Sequence, residues 1–440
     1  MKRQAGFTMV ELVTAMGVSL LVLMVAAAAF QQAAEMNANT VLSADMNDNL
    51  RSGMNLIVQD LVQTGAGIPT GGIPIPSTPN ATTGCNKDAA ANWINRPPMI
   101  MGLKFNGPNS AQVGCNTVLP AIEPGNNLGP QITSPDGTTG PVTDIITLLY
   151  VDNTIPANVL LTTSDVNPPL YNALDACPIN AASATCNPTG TKCLGGGTIA
   201  VDGSSMTFDN TCQTIGSGGT PINPGDLIMF YNANGQALQT VTKVSGQTLY
   251  FASGSSSGDS YNLNARGACS GGTDTAGTIC QLQNTSGTPP KPNGTYPTTS
   301  ATRIWMITYY LDDSANDQGV SYPHLMREVN FNPPQPVGEA FEDLQFTFNF
   351  ADGVPPSTNQ PAVPISPNYD LESQIRSVNV YLGVRSAENL PPAFGLSGSG
   401  GPSAKSAKFI RASLDTQVDL RSLAYFNNYM NTNYTTGSGE

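Results

Sequence analysis

Few side chains in this 440-residue sequence are spaced to do chemistry on a substrate. GSSSG at Gly254 to Gly258 fits G-x-S-x-G, the pattern that lifts a nucleophilic serine onto a strand-to-helix turn. Such a serine needs a helix after it and a histidine to take its proton, yet DSYNLNAR follows and His324 is the single histidine. The stretch therefore reads as a low-complexity loop, and His324, beside a strand start, as structural. In LDDSANDQG the residues Asp312, Asp313, Asn316 and Asp317 offer the oxygen donors that calcium prefers. Their spacing is not that of an EF-hand loop and the same residue types build hairpin turns, so calcium is the lesser reading and no cofactor is expected. Glu339, Glu342 and Asp343 read as a solvated turn. GGG at Gly195 to Gly197 lacks the lysine and helix of a phosphate cradle. An enzyme is not expected.

Eight cysteines (Cys85, Cys115, Cys177, Cys186, Cys193, Cys212, Cys269 and Cys280) form an even set with no C-x-x-C spacing. With one histidine in the chain, they point to disulfides rather than to a metal site. The connectivity stays open, with a preference for Cys85–Cys115 and Cys269–Cys280 because each pair stands apart from the others.

The remaining chemistry is a single carboxylate, Glu11, inside the apolar run of MKRQAGFTMVELVTAMGVSLLVLMVAAAAF. A charge in lipid costs a few kcal/mol and usually has a function. Phe7 to Phe30 is 24 residues, which at the helical rise spans roughly 36 Å, enough for a bilayer core. Lys2 and Arg3 precede the run, so the basic end stays in the cytoplasm and everything beyond about residue 31 is exported. A cleaved secretory signal and a plain anchor fit the apolar run, but neither employs Glu11.

GFTMVELVTAMG resembles the leader junction of type IV prepilins, shared by type IV pilins and type II secretion pseudopilins. The resemblance implies a leader at residues 1–6, cleavage between Gly6 and Phe7 by prepilin peptidase, and N-methylation of Phe7. It also implies that Glu11 pairs with the N-terminal amine of a neighbouring subunit, so that two costly charges meet in an apolar setting. Where many major pilins carry a proline in the mature helix, this chain reads AAAAF.

The elements that position these residues follow from periodicity. Leu42, Met46, Leu50, Met54, Ile57, Val58 and Leu61 recur at spacings of three and four, with Asp45, Asp48, Arg51, Asn55, Gln59 and Gln63 opposite, which predicts an amphipathic helix ending at Gly65 to Gly67. Joined to the apolar run, it makes one helix from about Phe7 to Thr64, with a transmembrane half (7–30) and an amphipathic half (31–64). Residues 65–440 form the exported domain. Alternating β-branched and aromatic runs predict strands at 144–151, 225–232, 236–244, 247–252, 302–311, 324–331, 344–350, 377–386 and 412–422. Polar insertions lie at about 66–142, 175–222, 253–300 and 351–372, several bearing the cysteines. The expected fold class is α+β: a long N-terminal helix packed on a large antiparallel sheet with disulfide-stapled loop insertions. With 18 Lys and Arg against 31 Asp and Glu, the net charge of −13 excludes nucleic acid as a partner of the body.

MNDNLRSGMNLIVQDLVQTGAG is similar to the helix end of PilW-like minor pilins, and GDLIMFYNANGQALQTVTKV, IWMITYYLDDS, HLMREVNF and RSVNVYLGVRSA are similar to their later segments. The resemblance implies a minor pilin acting in pilus initiation and assembly at or near the tip, with other pilins, prepilin peptidase, the assembly platform and the inner membrane as partners. It places the chain in the bacterial inner membrane with its domain in the periplasm, then in an extracellular pilus or periplasmic pseudopilus. A J-type pseudopilin of a secretion or competence system is the alternative within the superfamily, and a surface-binding adhesin the alternative outside it.

Overall fold

The computed structural model describes residues 8–69, 72–76, 118–152, 159–162, 197–208, 222–259, 277–286, 299–313, 322–350, 375–387 and 409–422, with short stretches between 261 and 296. Helix α1 (Met9–Gln63) comes first. It is 55 residues long, about 82 Å at the helical rise. The short strands β1 (Ile73–Pro74), β2 (Val118–Leu119), β3 (Ile122–Gly125), β4 (Gln131–Thr133) and β5 (Thr139–Val142) lead to β6 (Ile145–Val151). There follow β7 (Val159–Thr162), β8 (Gly197–Ile199), β9 (Ser205–Phe208), β10 (Leu227–Asn232), β11 (Gly235–Thr240), β12 (Lys243–Ser245) and β13 (Thr248–Tyr250). After β14 (Thr285–Ser286) and β15 (Lys291–Pro292) come β16 (Thr299–Asp312), β17 (His324–Val329), β18 (Gln335–Glu339), β19 (Phe341–Phe350), β20 (Ile375–Arg385) and β21 (Arg411–Asp419).

Twelve strands form one sheet, and β19–β20–β21 form a second of three. All pairings are antiparallel except β7 with β8. The 14-residue β16 organises the large sheet. Along one edge it pairs first with β10 and then with β17; along the other it pairs with β7 and then β6. Where β10 gives way to β17 a rung is supplied by Asn330, whose Oδ1 accepts the Met306 N–H at 2.9 Å while its own N–H donates to Met306 O at 2.7 Å. Its φ of 53° turns the chain there, a conformation asparagine tolerates. Beside it Arg303 is buried in an ion pair with Asp152 and contacts Asp226 at 3.5 Å, so the junction of the two half-sheets is held by paired charges.

The run LIMF in β10 is apolar on consecutive residues because both faces of the sheet are covered there. Leu227 and Met229 join the main core, which includes the helix stripe Met46, Leu50, Met54, Ile57 and Leu61. Ile228 and Phe230 join a second core on the opposite face with Ile199, Met206, Leu249 and Phe251. The Phe230 and Phe251 rings meet edge to face at 5.5 Å.

The expected α+β architecture is present, and all nine expected strands occur with shifted ends. The polar stretches differ from expectation in part. β3 lies within 66–142 and pairs with β6, and Ile199 and Met206 lie within 175–222 yet fill the second core. The solvated turn expected at Glu339, Glu342 and Asp343 is also corrected. Glu339 closes β18, accepting from Tyr322 Oη at 2.8 Å, while Glu342 and Asp343 lie on β19. Glu342 is paired with Arg385 and Arg411. Asp343 is half-buried, and burial pushes its carboxyl up.

Candidate assembly site on the N-terminal helix

The helix starts on a reciprocal cap. Thr8 takes an extended backbone and its Oγ1 accepts the Glu11 N–H at 3.4 Å. The Glu11 Oε2 in turn accepts the Thr8 N–H at 3.0 Å and the Thr8 hydroxyl at 2.9 Å. This capping box satisfies two N–H groups that a helix start leaves bare, and it sets the carboxylate at the positive end of the helix dipole. The pattern T-x-x-E was open to view in TMVE and is the signal that would have predicted it. Glu11 therefore has a partner within its own chain before it meets any other.

Beyond the cap the helix is bare. Met9 is 85 % exposed and Phe30 78 %, and the residues between them are exposed except Ala26, which is half-buried. An 18-residue window there has a mean hydropathy of 2.4, so the helix is long and apolar enough to cross a membrane. Its hydroxyls are suited to lipid: Thr14 donates to Val10 O at 3.0 Å, and Ser19 donates to Ala15 O. Each thereby avoids carrying an unpaired polar group into an apolar medium. Glu11, Thr14, Ala15, Val18, Ser19, Val22 and Leu23 lie exposed along one open side of the helix.

The second half of the helix is tied to the body by packing and by one polar hub. Gly53 permits the close approach, because a Cβ there would stand 2.8 Å from Leu325 Cδ2 and 3.1 Å from Phe341 Cζ. Two turns later Asp60, buried on the sheet side, accepts from Tyr309 Oη at 2.5 Å, Tyr150 Oη at 3.1 Å and Arg327 Nε at 2.9 Å. The helix is thus joined to β6, β16 and β17 at a single carboxylate. Burial, followed by the charge of Asp60, pushes both tyrosine hydroxyls well above their ordinary range. For Arg327, burial alone would pull the guanidinium down, and the bond and charge of Asp60 outweigh it and push it up. The amphipathic pattern placed Asp45, Asp48, Arg51, Asn55, Gln59 and Gln63 on the exposed face, where they are. It passed over Asp60, whose partners are 90, 249 and 267 residues away in the chain.

The other expected site residues are dispersed. Gly6 and Phe7 lie outside the described residues, as do Asn316, Asp317 and every cysteine except Cys280. Cys280 is buried in the second core and disulfide-bonded, while Cys269, Cys85 and Cys115 of the preferred pairings lie outside the described residues. Asp312 ends β16 opposite His324, whose ring meets Tyr322 edge to face at 5.3 Å. Among the described residues no three of His, Cys, Asp and Glu are grouped to hold a metal ion. GSSSG holds a single 3-10 turn, Ser255–Ser257, followed by the buried Asp259, which accepts the Leu263 and Asn264 N–H groups at 2.9 Å each. That arrangement closes a loop and builds no nucleophile elbow.

No curated protein and no solved structure matches the chain. Residues 1–27 match the family described as the prokaryotic N-terminal methylation motif, and the chain therefore carries the type IV prepilin-like N-terminus of a prepilin-peptidase substrate.

Proposed function

We propose that this protein is a minor pilin of PilW-like type, a structural subunit that is cut between Gly6 and Phe7, methylated on Phe7 and carried into a type IV pilus, at or near its tip. The observation that carries the reading is the methylation motif at residues 1–27 lying directly before a bare apolar half-helix that holds Glu11 at its start. Before processing, the helix anchors the chain in the inner membrane with the sheet domain in the periplasm, where its cysteines meet an oxidising compartment. Cleavage creates an amine at Phe7. In the lipid-like interior of a filament the Glu11 carboxylate leaves part of its Thr8 cap and pairs with the amine of a neighbouring subunit, so that each charge compensates the other. Helix packing replaces lipid contacts, and the acidic body faces outward.

The experiment is replacement of Glu11 by alanine in cells that assemble the filament. The variant is expected to insert in the membrane and to be cleaved as before, while its amount in sheared filaments falls at least tenfold. Unchanged incorporation would remove the assembly role of the carboxylate.

A further inference from the structure

The three-stranded sheet has two outer strands, and their edges end differently. Backbone bonds just past the ends of β21 show which way its peptide groups point: the Leu420 N–H donates to Arg376 O and the Ser386 N–H to Ile410 O, both at 2.8 Å. Even-numbered residues of β21 therefore bond to β20, and the unbroken register between the strands carries that alternation through. The N–H and C=O groups of Arg411, Ser413, Asp415, Gln417 and Asp419 face the other way, toward the open edge. All five residues are exposed, and no described group bonds to these backbone atoms.

The edges at β11, β12, β18 and β19 are closed or blunted, as exposed strand edges usually are. On β19 the Asp144 N–H donates to Leu344 O at 2.9 Å and the Asp144 carboxylate accepts the Phe346 N–H at 2.8 Å, which covers the middle of that strand. β18 carries Pro336 and a register shift against β17. β12 is three residues long and carries Lys243, and β11 meets Gly277 through a bridge at Ala237. β21 runs nine residues without proline, lysine or bulge.

We propose that β21 is the docking edge for an extended basic segment of another protein, which adds to the sheet as a fourth strand antiparallel to β21. Outward backbone groups on alternate residues offer it main-chain bonds along about 30 Å. Side chains then set the sequence it needs. Ala412 and Leu414 are half-buried at the rim of the main core, so the residues opposite them are apolar. Asp415 and Asp419 stand exposed on the other face, so the residues opposite those are lysine or arginine. Arg411 on that face is already paired with Asp136 and Glu342. A second copy of this chain is disfavoured, because it brings the same carboxylates and a net charge of −13.

The probe is a labelled nine-residue peptide alternating lysine and valine, titrated against the full chain in nanodiscs of neutral lipid and read by fluorescence anisotropy. Saturable binding is expected, weakened about tenfold or more when glutamate replaces lysine or when the lysine backbone nitrogens are methylated. In amide exchange the peptide is expected to slow Ser413, Asp415 and Gln417, while Leu414 and Thr416, already bonded to β20, change little. Because the Asp415 N–H faces outward, D415P keeps the β20 ladder and is expected to weaken binding about tenfold, with circular dichroism confirming the fold. No binding above empty nanodiscs, equal binding by the N-methylated peptide, or exchange protection confined to other segments would overturn the proposal. A dimer of the full chain that D415P dissolves would assign the edge to a second copy and would equally overturn it. These readouts leave residues 1–30 untouched, so the pilin reading stands or falls separately.

Discussion

At the scale of single residues, two carboxylates are held in two different ways. Glu11 is capped by Thr8 through short-range bonds, and removing the Thr8 hydroxyl deletes half of that box. T8A is expected to lower helicity at the N-terminus by an amount of order 1 kcal/mol, read as faster amide exchange over residues 9–12 in detergent micelles. Asp144 joins the two sheets. Its N–H donates to Leu344 O at 2.9 Å, while its carboxylate accepts the Phe346 N–H at 2.8 Å and the Asn127 N–H at 2.7 Å. Burial pushes its pKa up from 3.8 to about 6, against the two backbone bonds that favour the charged form. The folded chain then binds more protons than the unfolded one between these values, so this residue's stabilisation is fully present below pH 3.8 and is lost as pH rises through 6. Over that window the loss amounts to about 3 kcal/mol at most. Urea unfolding from pH 4 to pH 7 should show the decline, and D144N should flatten it.

At the scale of elements, the decisive contact is that of α1 with the sheets. Five buried apolar residues at helical spacing contribute most of it, each about 1.5–3 kcal/mol. D60A leaves Arg327 and two tyrosines without their shared acceptor, and a loss of about 3–5 kcal/mol is expected from denaturant titration. G53A places a methyl against Leu325 and Phe341; overpacking of about 1–3 kcal/mol should outweigh alanine's helical advantage of about 1 kcal/mol. An equal or higher melting temperature for G53A would show that the helix does not approach so closely. The helix and the long strands were legible because their apolar residues recur at one period over many positions. β3, β8 and β9 were not, being three or four residues long and set in polar sequence, where sheet pairing rather than local pattern decides the conformation. Asp60 was illegible for a related reason: its surroundings come from strands remote in sequence.

At the scale of the whole molecule, the chain divides into a bare apolar rod and an acidic body with two cores. The second core, on the sheet face away from the helix, incorporates the disulfide-bonded Cys280 beside Ile279 and Leu282. C280S is expected to destabilise the body by about 2–5 kcal/mol and to raise its susceptibility to protease around residues 277–286, with the helix contact unaffected. Of the candidate site, the leader junction and Glu11 were legible in a dozen residues because their order is itself the chemistry: a glycine before the cut, then a carboxylate inside an apolar run. The cap on Glu11 and the open edge of β21 emerge only when backbone geometry brings their parts together. The central claim is that processing at Gly6 frees an amine for Glu11. Mass spectrometry and N-terminal sequencing of the chain purified from cells with prepilin peptidase test it most directly. A mature chain beginning with N-methylated Phe7 is the predicted result. A chain beginning between residues 27 and 35, or one retaining Met1 to Gly6, would contradict it.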